Sequence, residues 1–192
     1  MAAKPGERKL QILQTVAEML EQPKGEKITT AALAARLELS EAALYRHFAS
    51  KAQMFEGLIE FIEQTVFGLI NKITQEEKSG VRQLEGIVAM LLSFAQKNRG
   101  MVRVLIGDAL VNEDERLQQR INQLLDRIEA TLKQSLRMAA TLGELGEAVD
   151  VGAHANLLVC YVIGRWTQFA KSGFTREPMA QWQAQMAILL KK

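Results

Sequence analysis

One short stretch of the chain carries four side chains that could bind DNA, namely Tyr45, Arg46, His47 and Lys51. Arg46 could read a guanine edge or clamp a phosphate, because its guanidinium donates several hydrogen bonds in one plane. Tyr45, His47 and Lys51 are suited to holding phosphates and fixing the register of the protein on the duplex. His47 could instead be a surface histidine without a role. The chemistry that this stretch indicates is recognition of double-stranded DNA.

Two short helices joined by a tight turn are predicted to position these groups. Leu33 and Leu37 lie four residues apart and share one face of the first helix. Leu44 and Phe48 have the same spacing in the second, so each helix packs through one side. A short helix supported in this way, with a polar free face, suits the major groove. An exposed helical hairpin without a nucleic-acid role has the same spacing, so spacing alone leaves both interpretations open.

Polar residues mark the ends of these helices. Ser40 can cap the second helix, and Ser50 with Gln53 forms a capping box that opens a third. Thr29 and Thr30 open the first helix, where a hydroxyl and free amides could hold a phosphate. The same residues would look identical as plain caps, so both roles stay open.

The turn between the two short helices reads Leu37-Glu38-Leu39. Such turns usually contain glycine, because one residue adopts a positive φ that other side chains disfavour. We therefore expect a glutamate here to cost on the order of 1 kcal/mol.

Composition predicts an all-α protein. Of 192 residues, 48% are hydrophobic and only three are proline, and few segments alternate strictly between apolar and polar residues. We find no apolar run of signal-peptide type and none near the ~20 residues that span a bilayer, so a cytoplasmic protein is expected. The single cysteine excludes an intramolecular disulfide and a multi-cysteine metal site.

Charge gives only weak support for nucleic-acid binding. The net charge is +2, and basic and acidic residues nearly cancel through residue 56. Placement is more informative, since Lys27, Arg46, His47 and Lys51 surround the proposed docking face. We expect DNA binding that depends strongly on salt and makes few non-specific contacts.

The rest of the chain reads as longer helices, with Gly100 as a left-handed cap and Asn112 as an N-cap. We assign residues 1–51 to a helix-turn-helix DNA-binding domain and residues 52–192 to a helical dimerisation and partner-binding domain. Besides the two short helices, the expected helices cover residues 7–21, 50–77, 81–97, 101–110, 113–137, 151–171 and 179–190.

The segment 151–171 is apolar nearly all round, so it must be covered on two sides. Its own domain can cover one side, and a second subunit is the natural cover for the other. Gly164 permits close helix approach, and with the last helix it could build a four-helix interface. A two-fold dimer would also suit paired recognition helices on palindromic half-sites.

The sequence supports two other functions, catalysis or metal binding and small-molecule binding, less strongly than DNA binding. His154, Cys160 and Tyr161 have no spacing typical of catalysis or of a metal site, so we expect no enzyme, metal or cofactor. Cys160 is most simply a small buried apolar residue. Trp166 and Phe169 could line a ligand pocket, although large apolar residues in a helical bundle are more often core.

The sequence EAALYRHF at residues 41–48, followed by Lys51, closely resembles the operator-binding segment of the TetR family of bacterial regulators. In that family a Tyr-x-His-Phe pattern ends the recognition helix. The resemblance implies an all-α TetR-type fold. The positions that match its operator contacts are Glu41, Ala42, Ala43, Tyr45, Arg46, His47 and Lys51.

The segments SKAQMF, LIEFIE and RLQQRINQLLDRIEA resemble the nucleoid occlusion factors of that family. The resemblance implies a homodimer on palindromic chromosomal DNA that inhibits assembly of the division protein FtsZ, so that septa do not close over the nucleoid. Lys97 stands where that group has arginine, and Leu69 also replaces an expected arginine. The positions that match the partner surface are Phe61, Leu69, Met90, Ser93, Lys97 and Asn98.

The alternative function is a TetR-type transcriptional repressor that a small molecule releases from its operator. An open cavity lined by Trp166 and Phe169 would favour the repressor, whereas a filled core would favour nucleoid occlusion.

Overall fold

The computed structural model describes residues 5–22, 28–146 and 149–190, and the regular structure in these ranges is entirely helical. The predicted all-α class is therefore confirmed. The described helices are α1 (Pro5–Leu20), α2 (Thr30–Arg36), α3 (Glu41–Tyr45), α4 (Lys51–Glu76), α5 (Gly80–Lys97), α6 (Arg99–Leu105), α7 (Glu115–Thr141), α8 (Val151–Lys171) and α9 (Trp182–Leu189), with a 3-10 turn at Asp108–Leu110.

The described residues pack as two compact units. The first is drawn from Met1–Ile62 and Asn98–Ile121, and the second from Glu63–Lys97 and Asn122–Lys192. These units are defined by packing, whereas the division predicted at residue 51 concerns function and stays a prediction. None of the described helices is both long and apolar enough to cross a membrane.

In the first unit, α1 packs against α2 and α6, and α2 packs against α3. Gly100 was expected to end a helix in the left-handed conformation, and this prediction is wrong. It lies inside α6 and is buried, and a Cβ on Gly100 would stand 1.8 Å from the carbonyl oxygen of Ala17. A glycine is required here because the backbones of α1 and α6 touch.

The expected N-cap at Asn112 is also wrong. Asn112 has a φ of 65°, and α7 begins only at Glu115. Asp114 immediately precedes α7. Its Oδ1 accepts a hydrogen bond from the amide of Arg116, in the first turn of the helix, at 3.0 Å. Hydrogen bonds from Arg116 lower the pKa of Asp114 to about 2, because they stabilise the carboxylate.

The second unit is built on the contact between α5 and α8. The indole nitrogen of Trp166 donates a hydrogen bond to the carbonyl of Leu91 at 3.1 Å, which satisfies the one polar atom of a buried ring. Ser135 donates to the side-chain oxygen of Gln83 at 2.8 Å. Gln83 in turn donates to the carbonyl of Glu77 at 2.8 Å, so this buried polar pair is hydrogen-bonded.

The outer face of α8 carries small and apolar residues that the described chain leaves exposed. Leu157 is 48% exposed, and Gly164 has nothing within 4 Å of the position that a Cβ would occupy. Cys160 was expected to be buried, and this prediction is wrong: it is exposed on the same face. The inner face is occupied instead by larger residues such as Val162 and Trp166.

Candidate nucleic-acid interface

The helix α3 is anchored through one side and free on the other. Ser40 caps it, its hydroxyl accepting the amide of Ala43 at 3.2 Å, as predicted. Leu44 is fully buried and Phe48 is 7% exposed, so these two residues attach the helix to the first unit. On the free side, exposed positions are Glu41, Ala42, Tyr45 and Arg46, and half-buried ones are Ala43 and His47.

The two threonines at the start of α2 both bond within the protein. The Thr29 hydroxyl accepts the amide of Ala32 at 3.1 Å, which is a normal N-cap. The Thr30 hydroxyl donates to Oε2 of Glu41 at 2.7 Å and so ties α2 to α3. This bond holds the Glu41 carboxylate at the beginning of α3.

The turn between α2 and α3 has the conformation that the sequence predicted. Glu38 adopts a φ of 55°. The Leu39 amide donates to the carbonyl of Ala34 at 2.9 Å and the Glu38 amide to that of Ala35 at 3.1 Å. These two bonds form a Schellman motif, in which a glycine would normally take the place of Glu38.

The start of α4 shows the predicted capping box and an ion pair that was not predicted. The Ser50 hydroxyl accepts the amide of Gln53 at 3.1 Å, as predicted, whereas the reciprocal bond reaches one residue earlier, with the Gln53 side chain accepting the amide of Ala49 at 2.9 Å. Nζ of Lys51 lies 2.5 Å from Oε1 of Glu113. Sequence reasoning missed Glu113 because 62 residues separate the partners and no local pattern links them.

Sequence reasoning also left out Lys9, whose Nζ lies 5.6 Å from the centre of the Phe48 ring. It therefore adds an exposed cation beside Phe48, just after the end of α3. Lys9 precedes Leu13 by one helical turn, but the packing of Leu13 and Phe48 at Gly57, which brings Lys9 to this ring, left no local signal in the sequence. Lys27, which was expected at this face, lies outside the described residues.

The positions matched to a protein partner lie in both units. In the first unit, Phe61 and Asn98 are half-buried. In the second, Leu69 is 41% exposed and Lys97 is exposed at the end of α5. Met90 and Ser93, also in the second unit, are half-buried. Their role stays a prediction.

The two aromatic residues that could have lined a ligand pocket belong to the core. Trp166 and Phe169 are each 1% exposed, and the Phe169 ring packs edge-on against Phe174 with centroids 5.1 Å apart. A cavity of about 180 Å³ occurs in the first unit, and neither ring is among its lining residues. It is lined by Leu20, Ile28, Lys51, Phe55, Arg103, Asp108, Ala109, Val111, Asn112 and Glu113.

Two family models match the chain. One, described as bacterial regulatory proteins of the tetR family, matches residues 12–58. The other, an SlmA-like model described as a tetracyclin repressor-like C-terminal domain, matches residues 78–192. The first range contains α2, α3 and the start of α4, so the residues predicted to contact DNA fall within the matched region.

Full-length relatives are similar across both ranges. The chain is 50% identical over 186 residues to the nucleoid occlusion factor SlmA of Alteromonas mediterranea, covering 97% of this chain and 95% of the relative. It is 49% identical over 189 residues to the same factor from a Marinomonas species, covering 98% and 96%.

Solved structures with low sequence identity have the same fold. The regulator MbdR from an Azoarcus species superposes with a TM-score of 0.80 at 15% identity, covering 94% of this chain and 95% of that one. The regulator AibR, solved with isovaleryl coenzyme A and operator DNA, gives a TM-score of 0.77 at 17% identity, covering 95% and 98%.

Proposed function

Because the chain belongs to the family of the nucleoid occlusion factor SlmA and has a TetR-type head, we propose that it keeps division septa off the chromosome. In this function it binds specific double-stranded DNA as a homodimer and, while bound, inhibits assembly of FtsZ. It acts at the nucleoid, in the cytoplasm. The family consists of DNA-binding regulators, so the chain is not an enzyme.

The DNA-binding part of this proposal rests on one observation: α3 is anchored through one side and exposed on the other. Buried Leu44 fixes the helix, and Tyr45 and Arg46 stay exposed at its end. Small side chains at Ala42 and Ala43 let the helix backbone approach base edges closely. Glu41 is held by Thr30, so the first turn of the helix presents a fixed carboxylate to the groove.

Dimerisation is supported by the outer face of α8. Exposed Leu157 and open space at Gly164 offer an apolar surface that a second copy could cover. On α9, Ile188 is 74% exposed and adds to the apolar surface available in the second unit. A two-fold dimer would present two α3 helices to the half-sites of a palindrome, about one helical turn of DNA apart.

The FtsZ contact is proposed for the matched positions on α4, on α5 and at Asn98. Phe61 supplies an aromatic group, and Lys97 keeps a positive charge where the family has arginine. Leu69 replaces a charged family position with an apolar side chain that is 41% exposed. We therefore propose a contact that is more apolar and less dependent on salt than that of arginine-bearing relatives.

The DNA-binding part is tested with fragments selected from the genome by the protein itself. Arg46→Ala should weaken binding to the selected site by about 1–3 kcal/mol if the guanidinium reads a base. Arg36→Ala is the matched control, because Arg36 is an exposed arginine at the end of α2, outside the free side of α3. Equal affinities for Arg46→Ala and the wild type would contradict the assignment of Arg46.

The partner role is tested by light scattering of FtsZ assembling with GTP. The protein should reduce polymer only when its selected DNA is present, and Phe61→Ala should remove this inhibition while DNA binding persists. Phe67→Ala is the control on the same helix; Phe67 is also half-buried, with its ring 3.9 Å from the Arg127 guanidinium. Unchanged polymer alongside tight DNA binding would contradict the FtsZ role and leave a DNA-binding regulator.

A further inference from the structure

The ammonium group of Lys51 is paired with a carboxylate of its own chain. Its Nζ lies 2.5 Å from Oε1 of Glu113, and the two side chains are only 23% and 13% exposed. The same Nζ lies 5.6 Å from the centre of the Phe55 ring, so the lysine arm lies along α4 rather than extending into solvent. This enclosed pair differs from exposed ion pairs such as Lys72–Glu76, whose side chains are 68% and 66% exposed.

Glu113 is held by a fixed loop, so its carboxylate is not a mobile surface group. The Glu113 amide donates to the carbonyl of Leu110 at 3.0 Å. Earlier in the loop, Asp108 receives two hydrogen bonds from Arg103, at 2.9 and 3.0 Å. Arg103 also donates to the carbonyl of Leu20, which anchors the loop to the end of α1.

We infer that Glu113 withholds the charge of Lys51 from the DNA backbone and so sets how tightly the head holds DNA. The inference rests on the proposed function, in which Lys51 contacts a phosphate. A phosphate approaching the ammonium is attracted by Lys51 and repelled by the carboxylate behind it. Because both side chains are largely enclosed, solvent and salt screen this opposition less than they would at an exposed pair.

The consequence is that the DNA-binding unit binds DNA less tightly than it would if Lys51 carried an unpaired charge. Each phosphate neutralised by a full positive charge adds about 0.9 to the slope of log affinity against log salt. A lysine that is already neutralised adds less. Glu113 therefore limits sequence-independent binding by neutralising Lys51 without touching DNA, and the bases read by α3 account for a larger share of the affinity.

The test is a salt titration of DNA affinity for four proteins, from about 50 to 200 mM salt, on one selected fragment. They are the wild type, Glu113→Gln, Lys51→Gln and the double variant. Glu113→Gln should bind several-fold more tightly at low salt and steepen the salt slope by up to about 0.9 per contacted phosphate. In the Lys51→Gln background, Glu113→Gln should change neither quantity.

Glu115→Gln is the matched control, because it removes the same charge from an exposed residue in the first turn of α7. It should leave the slope unchanged. If Glu113→Gln fails to fold by circular dichroism, Glu113→Met removes the charge at similar length and replaces it in the test.

Four results would overturn the inference. Weaker binding by Glu113→Gln would mean that Glu113 orients Lys51 towards the phosphate. An equal gain in the Lys51→Gln background would mean a general charge effect, and an unchanged slope with normal wild-type binding would remove this inference alone. A wild type without affinity for any fragment would remove the proposed function together with it.

Discussion

Two helical glycines of this chain have opposite surroundings. Gly100 in α6 is buried in the first unit, where an added Cβ would stand 1.8 Å from the Ala17 carbonyl oxygen. Gly164 in α8 belongs to the second unit and would place a Cβ in open space. The first glycine completes a contact within the chain. The second leaves a surface that nothing in the described chain covers.

The comparison shows that the role of a helical glycine depends on whether another backbone packs against it. Gly100 costs helix propensity and is compensated by backbone contact with α1. Gly164 has the same cost with no compensation from the described residues. We therefore attribute its use to a second subunit, in line with the proposed homodimer.

The largest effect is expected at Gly100. Gly100→Ala should lower the free energy of unfolding by about 3 kcal/mol or more, because α1 and α6 would have to separate. Urea denaturation measures this. Gly68→Ala on α4 is the control, since nothing lies within 4 Å of its added Cβ; it should stabilise by about 0.5–1 kcal/mol. Equal effects of the two substitutions would break the comparison.

Gly80 tests whether close contact between helix backbones also stabilises the second unit. A Cβ on Gly80 would stand 2.3 Å from the Ala139 nitrogen and 2.4 Å from the Ser135 carbonyl oxygen. Gly80→Ala should destabilise by about 2–3 kcal/mol, because two backbones again have to move apart. Thermal unfolding measures it, with Gly68→Ala as the same control. A neutral result would restrict close backbone contact to α6.

At Gly164, a large charged side chain should affect association rather than folding. Gly164→Arg should raise the dimer dissociation constant by about 100-fold, or roughly 2.7 kcal/mol, because it places a charge in an apolar interface. Sedimentation measures association, and circular dichroism checks that helix content persists. Gly68→Arg should leave the dimer intact. A Gly164→Arg protein that dimerises normally would place the interface elsewhere.

The smallest effect concerns a position where glycine is absent although the backbone favours it. Glu38→Gly should stabilise the protein by about 1 kcal/mol, because it relieves the left-handed conformation at a φ of 55°. Glu18→Gly in the regular helix α1 is the control and should destabilise by about 1 kcal/mol. Chemical denaturation measures both. A loss of stability in Glu38→Gly would show that its side chain contributes more than the strain costs.

Local signals predicted much of the fold. The helix Val151–Lys171 was predicted with its observed bounds, and in the structure Asp150 caps it, accepting the Ala153 amide at 3.0 Å. The free side of α3 followed from the spacing of Leu44 and Phe48. These features depend on residues within one or two helical turns of each other, which is the range that periodicity and capping patterns describe.

The predictions that failed concerned residues whose partners lie far along the chain, or residues whose burial depends on which side of a helix faces inward. The contact of Gly100 with Ala17 leaves no local trace, so a buried glycine looked like a cap. Cys160 was misplaced because a helix that is apolar nearly all round has no polar stripe to fix which side faces inward. Glu113 was missed because its partner, Lys51, lies 62 residues earlier in the chain. The matched partner positions from Phe61 to Asn98 rest on resemblance and stay predictions.

The attachment of α1 to α6 has a consequence for exchanging DNA-binding specificity among relatives. Arg103 donates to the carbonyls of Leu20 and Gln22, and Lys51 pairs with Glu113, so the head includes residues from 98–121. A chimera that receives only a foreign N-terminal segment would inherit a mismatched support. Recombination should therefore transfer a new specificity intact only when this later segment is inherited with the head.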